Sequence, residues 1–190
     1  MITSIVNKKI EEFQKLLQNC VCTTQQDLLD LDEAMELFVA FLTQIKEQGK
    51  QLFAIGNGKS GKTASSFSTS LIKEVGISAH SLFEAELTSS IASEYGFAEV
   101  YRYPLKTLLK EGDLLIALSP HGKSSNILNA AKEAETKEAL IITLSGGESS
   151  NPLRQMGDLN IWIDSANPAV IDITHQILLE AILSAVNIEG

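Results

Sequence analysis

The stretch after Gly49 constrains the fold most, because short apolar runs alternate there with segments of helical character. Five runs are typical of buried strands: 52–55, 77–82, 114–118, 140–144 and 159–163. Helices are predicted between and after them: 59–75, 84–94, 124–136, 150–156 and 169–187. Apolar strands that alternate with helices form parallel sheets covered on both faces. The sequence therefore predicts an α/β fold with a doubly wound, five-stranded parallel sheet.

The N-terminal part of the sequence has a different pattern and predicts a helical extension. Apolar residues recur at helical spacing over 5–17 and again over 28–45. Thr23 or Thr24 is a candidate N-cap of the second helix, and Gly49 is a candidate stop. Two such helices present more apolar surface than one small domain hides, so we expect them to pack against another subunit.

The length of 190 residues predicts one domain, with 1–50 serving in oligomerisation and 51–190 forming the α/β core. A net charge of −9 disfavours nucleic acid as a partner, because binding to its backbone needs a concentrated basic face. The sequence has no signal-peptide pattern and no apolar run of about 18 residues, so we expect a cytoplasmic protein without a membrane partner. Cys20 and Cys22 are interpreted as reduced thiols.

Three loops that follow predicted strands are rich in glycine and serine: 56–60, 119–126 and 145–152. In a parallel sheet, ligands bind beyond the carboxyl ends of the strands, where loops lead into helices. Hydroxyls and free N–H groups at a helix N-terminus bind phosphate oxygens, although such loops are also ordinary turn chemistry. The first two loops each carry a lysine, which favours an anionic ligand.

Residues 56–63 read G-N-G-K-S-G-K-T, which satisfies the nucleotide-binding pattern G-x-x-x-x-G-K-[ST]. A nucleotide hydrolase also needs a strand that ends in an acid to position Mg²⁺. The apolar strand that ends in an acid is the last one, at Asp164, whereas the third and fourth strands run into Ser119 and Ser145. A nucleotide-binding protein is therefore a remote alternative.

Taken together, these segments resemble the sugar isomerase (SIS) domain, and within it the phosphoheptose isomerase branch. The resemblance rests on the GNGKS turn at 56–60, SEYGFAEVY at 93–101, EGDLLIALSPHGKSSNIL at 111–128 and ALIITLSGGES at 139–149. It covers almost the whole chain. It implies an SIS-type fold, a sugar-phosphate ligand, and a homotetramer with its sites between subunits, which would cover the apolar N-terminal helices.

The resemblance also implies which residues bind the ligand. They are Asn57, Gly58 and Ser60 at the sugar end, Ser119, His121 and Ser124 around the phosphate, and Glu94 at the position of a family aspartate. The second loop departs from the family, because Ser-Pro-His-Gly replaces Ser-Thr-Ser-Gly. His121 and Lys123 could supply charged donors in place of the two lost hydroxyls.

The catalytic positions of the family are also changed. The family has a histidine and a glutamate four apart on the helix after the turn, and a glutamine and a histidine eight apart on the last helix. Here these positions are Ser66 and Ser70, then Asp172 and Glu180. Hydroxyls are poor bases and poor zinc ligands, so we expect neither zinc nor another cofactor.

The last helix offers an alternative acid–base set in Asp172, His175 and Glu180, although a solvated helix edge would show the same stripe. The first hypothesis is therefore a sugar-phosphate-binding SIS protein. An active aldose–ketose isomerase is the second. A non-catalytic SIS tetramer that binds a protein, like the branch that associates with the bacterial replication initiator, is a further alternative.

Overall fold

The computed structural model describes residues 2–82 and 84–189, with side chains up to residue 186. Its helices are α1 (Ile2–Gln18), α2 (Leu31–Glu47), α3 (Gly58–Ser70), α4 (Ala85–Tyr95), α5 (Arg102–Leu108), α6 (Ser125–Thr136) and α7 (Pro168–Glu189). Its strands are β1 (Val21–Thr23), β2 (Leu28–Leu29), β3 (Gln51–Gly56), β4 (Ser78–Ser81), β5 (Leu114–Ser119), β6 (Leu140–Gly146) and β7 (Leu159–Ile163). A π-helical turn, Leu71–Val75, extends α3, and 3-10 turns lie at Phe97–Glu99 and Pro152–Gln155.

The described residues form one sheet with the strand order β2-β1-β7-β6-β5-β3-β4. Strands β3 to β7 are parallel, and β5 and β7 are buried along their whole length. Side chains of α2, α3 and α7 pack on one face of the sheet, and those of α5 and α6 pack on the other. This confirms the doubly wound α/β prediction.

The N-terminal part differs from the prediction in its strand count. Between α1 and α2, the antiparallel strands β1 and β2 form a hairpin, and β1 pairs with β7 through Val21 and Trp162. The sheet of the described residues therefore has seven strands instead of five. The side chain of Cys22 faces the core and is fully buried.

The predicted N-cap of α2 was wrong. Asp30 caps the helix: its Oδ1 accepts the Glu33 N–H at 2.9 Å, and Glu33 Oε2 accepts the Asp30 N–H at 2.9 Å. Thr24 instead closes the hairpin turn, where its hydroxyl accepts the backbone N–H groups of the two following turn residues, Gln26 and Asp27. The predicted stop is confirmed, because Gly49 follows the helix end with φ +62°.

The long helix α7 is apolar enough over Pro168–Val186 to cross a membrane, with a mean hydropathy of 1.6 over 19 residues. Half of this segment is buried inside the fold. Leu178 and Ile182 pack into the cluster beneath the sheet. The core therefore accounts for the buried half of the apolar segment of α7, whereas Ile173 and Ile177 remain exposed.

Candidate functional site

The candidate site lies at the carboxyl edge of the sheet, between β3 and β5. Strand β4 lies on one side of β3, whereas β5, β6 and β7 lie on its other side. The strand order therefore reverses between β3 and β5. Ligands of doubly wound proteins bind at such a reversal. Helix α3 begins two residues after β3 ends, and α6 begins after the loop that follows β5. Both helices thus direct the positive ends of their dipoles to this edge.

A pair of asparagine amides joins the two helix starts. Asn57 Nδ2 donates to Asn126 Oδ1 at 3.0 Å, and Asn126 Nδ2 donates to Asn57 Oδ1 at 2.8 Å. Among the described residues, neither Asn57 nor Ser124 uses its side chain to cap its own helix. In the first turn of α6, Asn126 Oδ1 accepts the Ile127 N–H at 3.0 Å. The other first-turn N–H groups of both helices have no side-chain cap among the described residues, and an anion could accept from them.

Gly56 permits the close approach of α3 to the end of β3. A Cβ atom at this position would lie 2.6 Å from the backbone carbon of Ser60 and 2.8 Å from the nitrogen of Gly61. Any larger residue would push the start of α3 away from the sheet. The glycine of the turn thus fixes where the first helix N-terminus points.

The loop between β5 and α6 holds the predicted phosphate-binding hydroxyls together. Ser119 is buried, and its Oγ donates to Ser124 Oγ at 3.4 Å. His121 is exposed at the tip of the loop. The Lys123 ammonium lies 2.6 Å from the Glu148 carboxylate in the next loop and lowers the pKa of that carboxyl. Lys123 is therefore already paired, which leaves His121 as the more available of the two candidate cationic donors.

Asn151 braces the loop that follows β6 and packs against Gly122 of the loop between β5 and α6. It is fully buried, and its Nδ2 donates to the carbonyls of Gly146 at 3.2 Å and Glu148 at 2.9 Å. Its Oδ1 accepts the Arg154 N–H at 3.1 Å. A Cβ atom on Gly122 would lie 1.8 Å from that oxygen, so the loop fits only with glycine there. Sequence reasoning missed Asn151, although it lies within a loop that was singled out.

A cleft of about 350 Å³ opens between α3 and α7, beside the first helix start. Its lining residues are Lys59, Lys62, Thr63, Ser66, Asp172, Ile173 and Gln176. Ser60 Oγ donates to Asp172 Oδ1 at 2.5 Å across the two helices. The structure therefore brings together Ser60, Ser66 and Asp172 among the residues singled out from the sequence.

His175 lies apart from this cleft. Its ring is fully buried, its Nε2–H donates to the Ser145 carbonyl at 3.2 Å, and its Nδ1 has no hydrogen-bond partner among the described residues. Burial lowers the pKa of the imidazole to about 4, so the ring is neutral at physiological pH. The ring is thus directed into the interior, and this placement does not support contact with a ligand in the cleft.

Two other candidate acids are exposed and away from the cleft walls. Glu180 lies two turns further along α7 than Asp172, and Glu94 lies near the C-terminal end of α4. Neither residue lines the cleft between α3 and α7. Any contact between them and a ligand stays a prediction.

The side chains at the four positions where the resemblance would place zinc ligands, Ser66, Ser70, Asp172 and Glu180, do not form a zinc-binding set. Zinc binds histidine nitrogen, cysteine sulfur or carboxylate oxygen. Ser66 brings only a hydroxyl to the cleft, Ser70 and Glu180 do not line it, and Asp172 already accepts from Ser60. Within residues 2–82 and 84–189, no three histidine, cysteine, aspartate or glutamate side chains are grouped as a metal site would require.

Residues 56–63 match the nucleotide-binding pattern in sequence, but they lack the structural surroundings that a nucleotide hydrolase needs. Gly61, Lys62 and Thr63 lie inside α3, because the helix already begins at Gly58. Asp164 follows β7, which is separated from β3 by β5 and β6. The strand-end acid is therefore not beside the helix that carries the pattern.

Comparisons with known proteins agree with this fold. A family model described as the SIS domain matches residues 10–146. A phosphoheptose isomerase from Campylobacter concisus is 27% identical over an alignment of 193 positions, which covers 98% of this chain and 97% of that protein. The solved phosphoheptose isomerases from Francisella tularensis and Neisseria gonorrhoeae superpose with TM-scores of 0.83 and 0.85, at 24% and 21% identity. Each superposition covers 98% of this chain and 96% of the other.

The matched segment includes the turn at Asn57, the loop at 119–124 and strands β3 to β6. The chain therefore belongs to the SIS domain family. Within that family, its sequence is similar to that of a phosphoheptose isomerase over nearly its whole length.

Proposed function

We propose that this chain binds a sugar phosphate, with the phosphate at the start of α6 and the sugar extending along the start of α3. The observation that carries the proposal is the reciprocal Asn57–Asn126 hydrogen-bond pair, which holds the N-termini of α3 and α6 side by side. A single phosphate could then accept N–H groups from α6 together with the hydroxyls of Ser119 and Ser124. The names of the relatives supply the ligand class.

The geometry favours binding over the isomerisation chemistry of the relatives. Isomerisation through an enediol needs a base for a carbon-bound proton and an acid for the neighbouring oxygen. The cleft holds one carboxylate, Asp172, and hydroxyls in place of imidazoles. Asp172 is nevertheless the observation that favours an active isomerase as the second candidate, because its Oδ2 could still serve as the base.

The binding proposal predicts that Ser124→Ala weakens the affinity for sedoheptulose 7-phosphate about tenfold. A hydrogen bond to a charged group contributes about 1.5–3 kcal/mol, and tenfold in affinity corresponds to about 1.4 kcal/mol. Isothermal titration calorimetry measures this change. Thr136→Ala, at the opposite end of the same helix, is the control and should leave the affinity unchanged.

An unchanged affinity in Ser124→Ala would contradict the placement of the phosphate, and binding of Mg-ATP instead of sugar phosphates would contradict the proposal as a whole. A coupled turnover assay without added metal separates the two candidates. Binding without turnover over a range of sugar phosphates supports the first, and interconversion of a ketose 7-phosphate with its aldose establishes the second.

We further propose that the chain acts in the cytoplasm as a homo-oligomer in which α1 packs against a second copy. None of the residues of α1, all of which the structure describes, is buried. Ile2, Ile5, Val6 and Ile10 are each at least half exposed. An apolar helix face of this kind is stabilised by a subunit that covers it.

The Ile5→Asp/Ile10→Asp double variant is expected to dissociate the oligomer, because two charges would be buried in the interface. Sedimentation velocity measures the shift to a smaller species. Lys8→Asp changes the charge of the same helix and should retain the larger species. A wild-type chain that sediments only as a monomer would contradict the proposal.

A further inference from the structure

Lys59 and Lys62 have no role in the function proposed so far. They lie three residues apart on α3, and both line the cleft between α3 and α7. Residues three apart are neighbours on one helix face. Neither ammonium takes part in an ion pair or a side-chain hydrogen bond that the described residues form.

Their place on the helix is electrostatically unfavourable without an anion. The positive end of the helix dipole lies at the N-terminus, where acidic residues stabilise a helix and basic residues do not. Helix α2 follows this rule, with Asp32 and Glu33 in its first turn. The first turn of α3 has no acidic residue and carries Lys59. Departures from such local rules are expected where a function requires them.

The other lining groups suit a polyhydroxylated ligand with a negative charge. Thr63, Ser66 and Gln176 can exchange hydrogen bonds with hydroxyls. Asp172 is the one acid among the lining residues of this described cleft, and its Oδ1 already accepts from Ser60. Two ammonium groups therefore outnumber one carboxylate, in a chain whose net charge is −9. Such a local excess of positive charge concentrates anions.

The cleft continues the sugar-phosphate site. Asn57 contacts the start of α6, and Ser60, three residues later, contacts α7 beside the cleft. A helix rises about 1.5 Å per residue, so Lys62 lies roughly 7 Å along α3 from Asn57. A phosphorylated sugar of five to seven carbons has a length on this order.

We propose that the ligand is a doubly anionic sugar derivative, whose second anionic group binds Lys59 and Lys62 in the cleft between α3 and α7. The inference rests on the proposed sugar-phosphate site. The second group is a carboxylate or a second phosphate, at the end of the carbon chain opposite the first phosphate.

Matched ligands test this inference by calorimetry on the full chain. 6-Phosphogluconate and glucitol 6-phosphate differ only at C1, where one has a carboxylate and the other a hydroxymethyl group. Fructose 1,6-bisphosphate and fructose 6-phosphate differ only by the second phosphate. We expect the doubly anionic member of at least one pair to bind at least tenfold more tightly, and the pair that shows the preference identifies the second group.

The double variant Lys59→Met/Lys62→Met should abolish that preference and change the affinity for the singly phosphorylated partner less than twofold. Lys73→Met/Lys110→Met removes the same charge from exposed positions outside the cleft and should keep the preference. Equal affinities within both pairs would overturn the inference. A preference that survives the cleft variant, or that disappears in the control, would overturn it as well.

The same titrations separate this inference from the proposed function. If glucitol 6-phosphate or fructose 6-phosphate binds and the second anion adds nothing, the sugar-phosphate site stands and the inference fails. If none of the four compounds nor sedoheptulose 7-phosphate binds, the proposed function itself fails.

Discussion

Acidification from pH 6.5 to pH 4 is expected to destabilise this protein, and His175→Gln is expected to remove part of that loss. His175 is fully buried, and burial lowers the pKa of its imidazole from 6.5 to about 4. Between these values the unfolded chain binds a proton that the folded chain does not, so the free energy of unfolding falls as the pH falls. The loss is about 3 kcal/mol, since one unit of pKa difference corresponds to about 1.4 kcal/mol.

Urea unfolding at a series of pH values measures this loss. The quantity of interest is the difference between wild type and variant, because carboxyl groups titrate in the same range in both. A glutamine at position 175 can still donate to the Ser145 carbonyl but carries no titratable group. His121→Gln makes the same substitution at an exposed loop position and is the control for the exchange itself. Parallel stability curves for wild type and His175→Gln would contradict the prediction.

Gly122→Ala is expected to destabilise the fold by about 3 kcal/mol. The residue has φ +60°, and a left-handed backbone costs a non-glycine residue about 1–2 kcal/mol. In addition, the new Cβ would lie 1.8 Å from Asn151 Oδ1, so the buried asparagine would have to move and give up hydrogen bonds. Overpacking of this kind costs about 1–3 kcal/mol.

Gly147→Ala is the matched control, because Gly147 has φ +70° but its Cβ would meet no atom closer than 3.6 Å. It should cost only the backbone term, about 1 kcal/mol. Chemical denaturation measures both variants. Equal losses would mean that the contact with Asn151 contributes nothing. Since Gly122 lies between Ser119 and Ser124, we also expect weaker sugar-phosphate binding in Gly122→Ala only.

The parallel strands could be predicted because buried strands give continuous apolar runs in the sequence. The bounds of each predicted strand lie close to those of the strand in the structure. The hairpin could not, since β1 and β2 have three and two residues and are too short for a pattern. The start of α2 was predictable in principle. Asp30 and Glu33 have the spacing of a capping box, but Thr24 in the preceding turn offered a competing cap.

The loops of the site were also predictable, whereas the contacts that shape it were not. Asn57 and Asn126 are 69 positions apart in the sequence, and Ser60 and Asp172 are 112 apart. Such pairs depend on how α3, α6 and α7 meet, which no local pattern specifies. His175 illustrates the same limit. It lies about one helical turn after Asp172 on α7, yet the packing of α7 against the sheet buries its ring.

The short hairpin has a consequence for the behaviour of the chain in concentrated solution. Without it, β7 would end the sheet with a row of free backbone donors and acceptors on a strand that is apolar at four of its five positions. Such a border recruits strands from other molecules and starts aggregation. The three residues of β1 occupy it, and the two residues of β2 leave too little length for another strand to add. The hairpin thus hinders strand addition at this edge of the sheet.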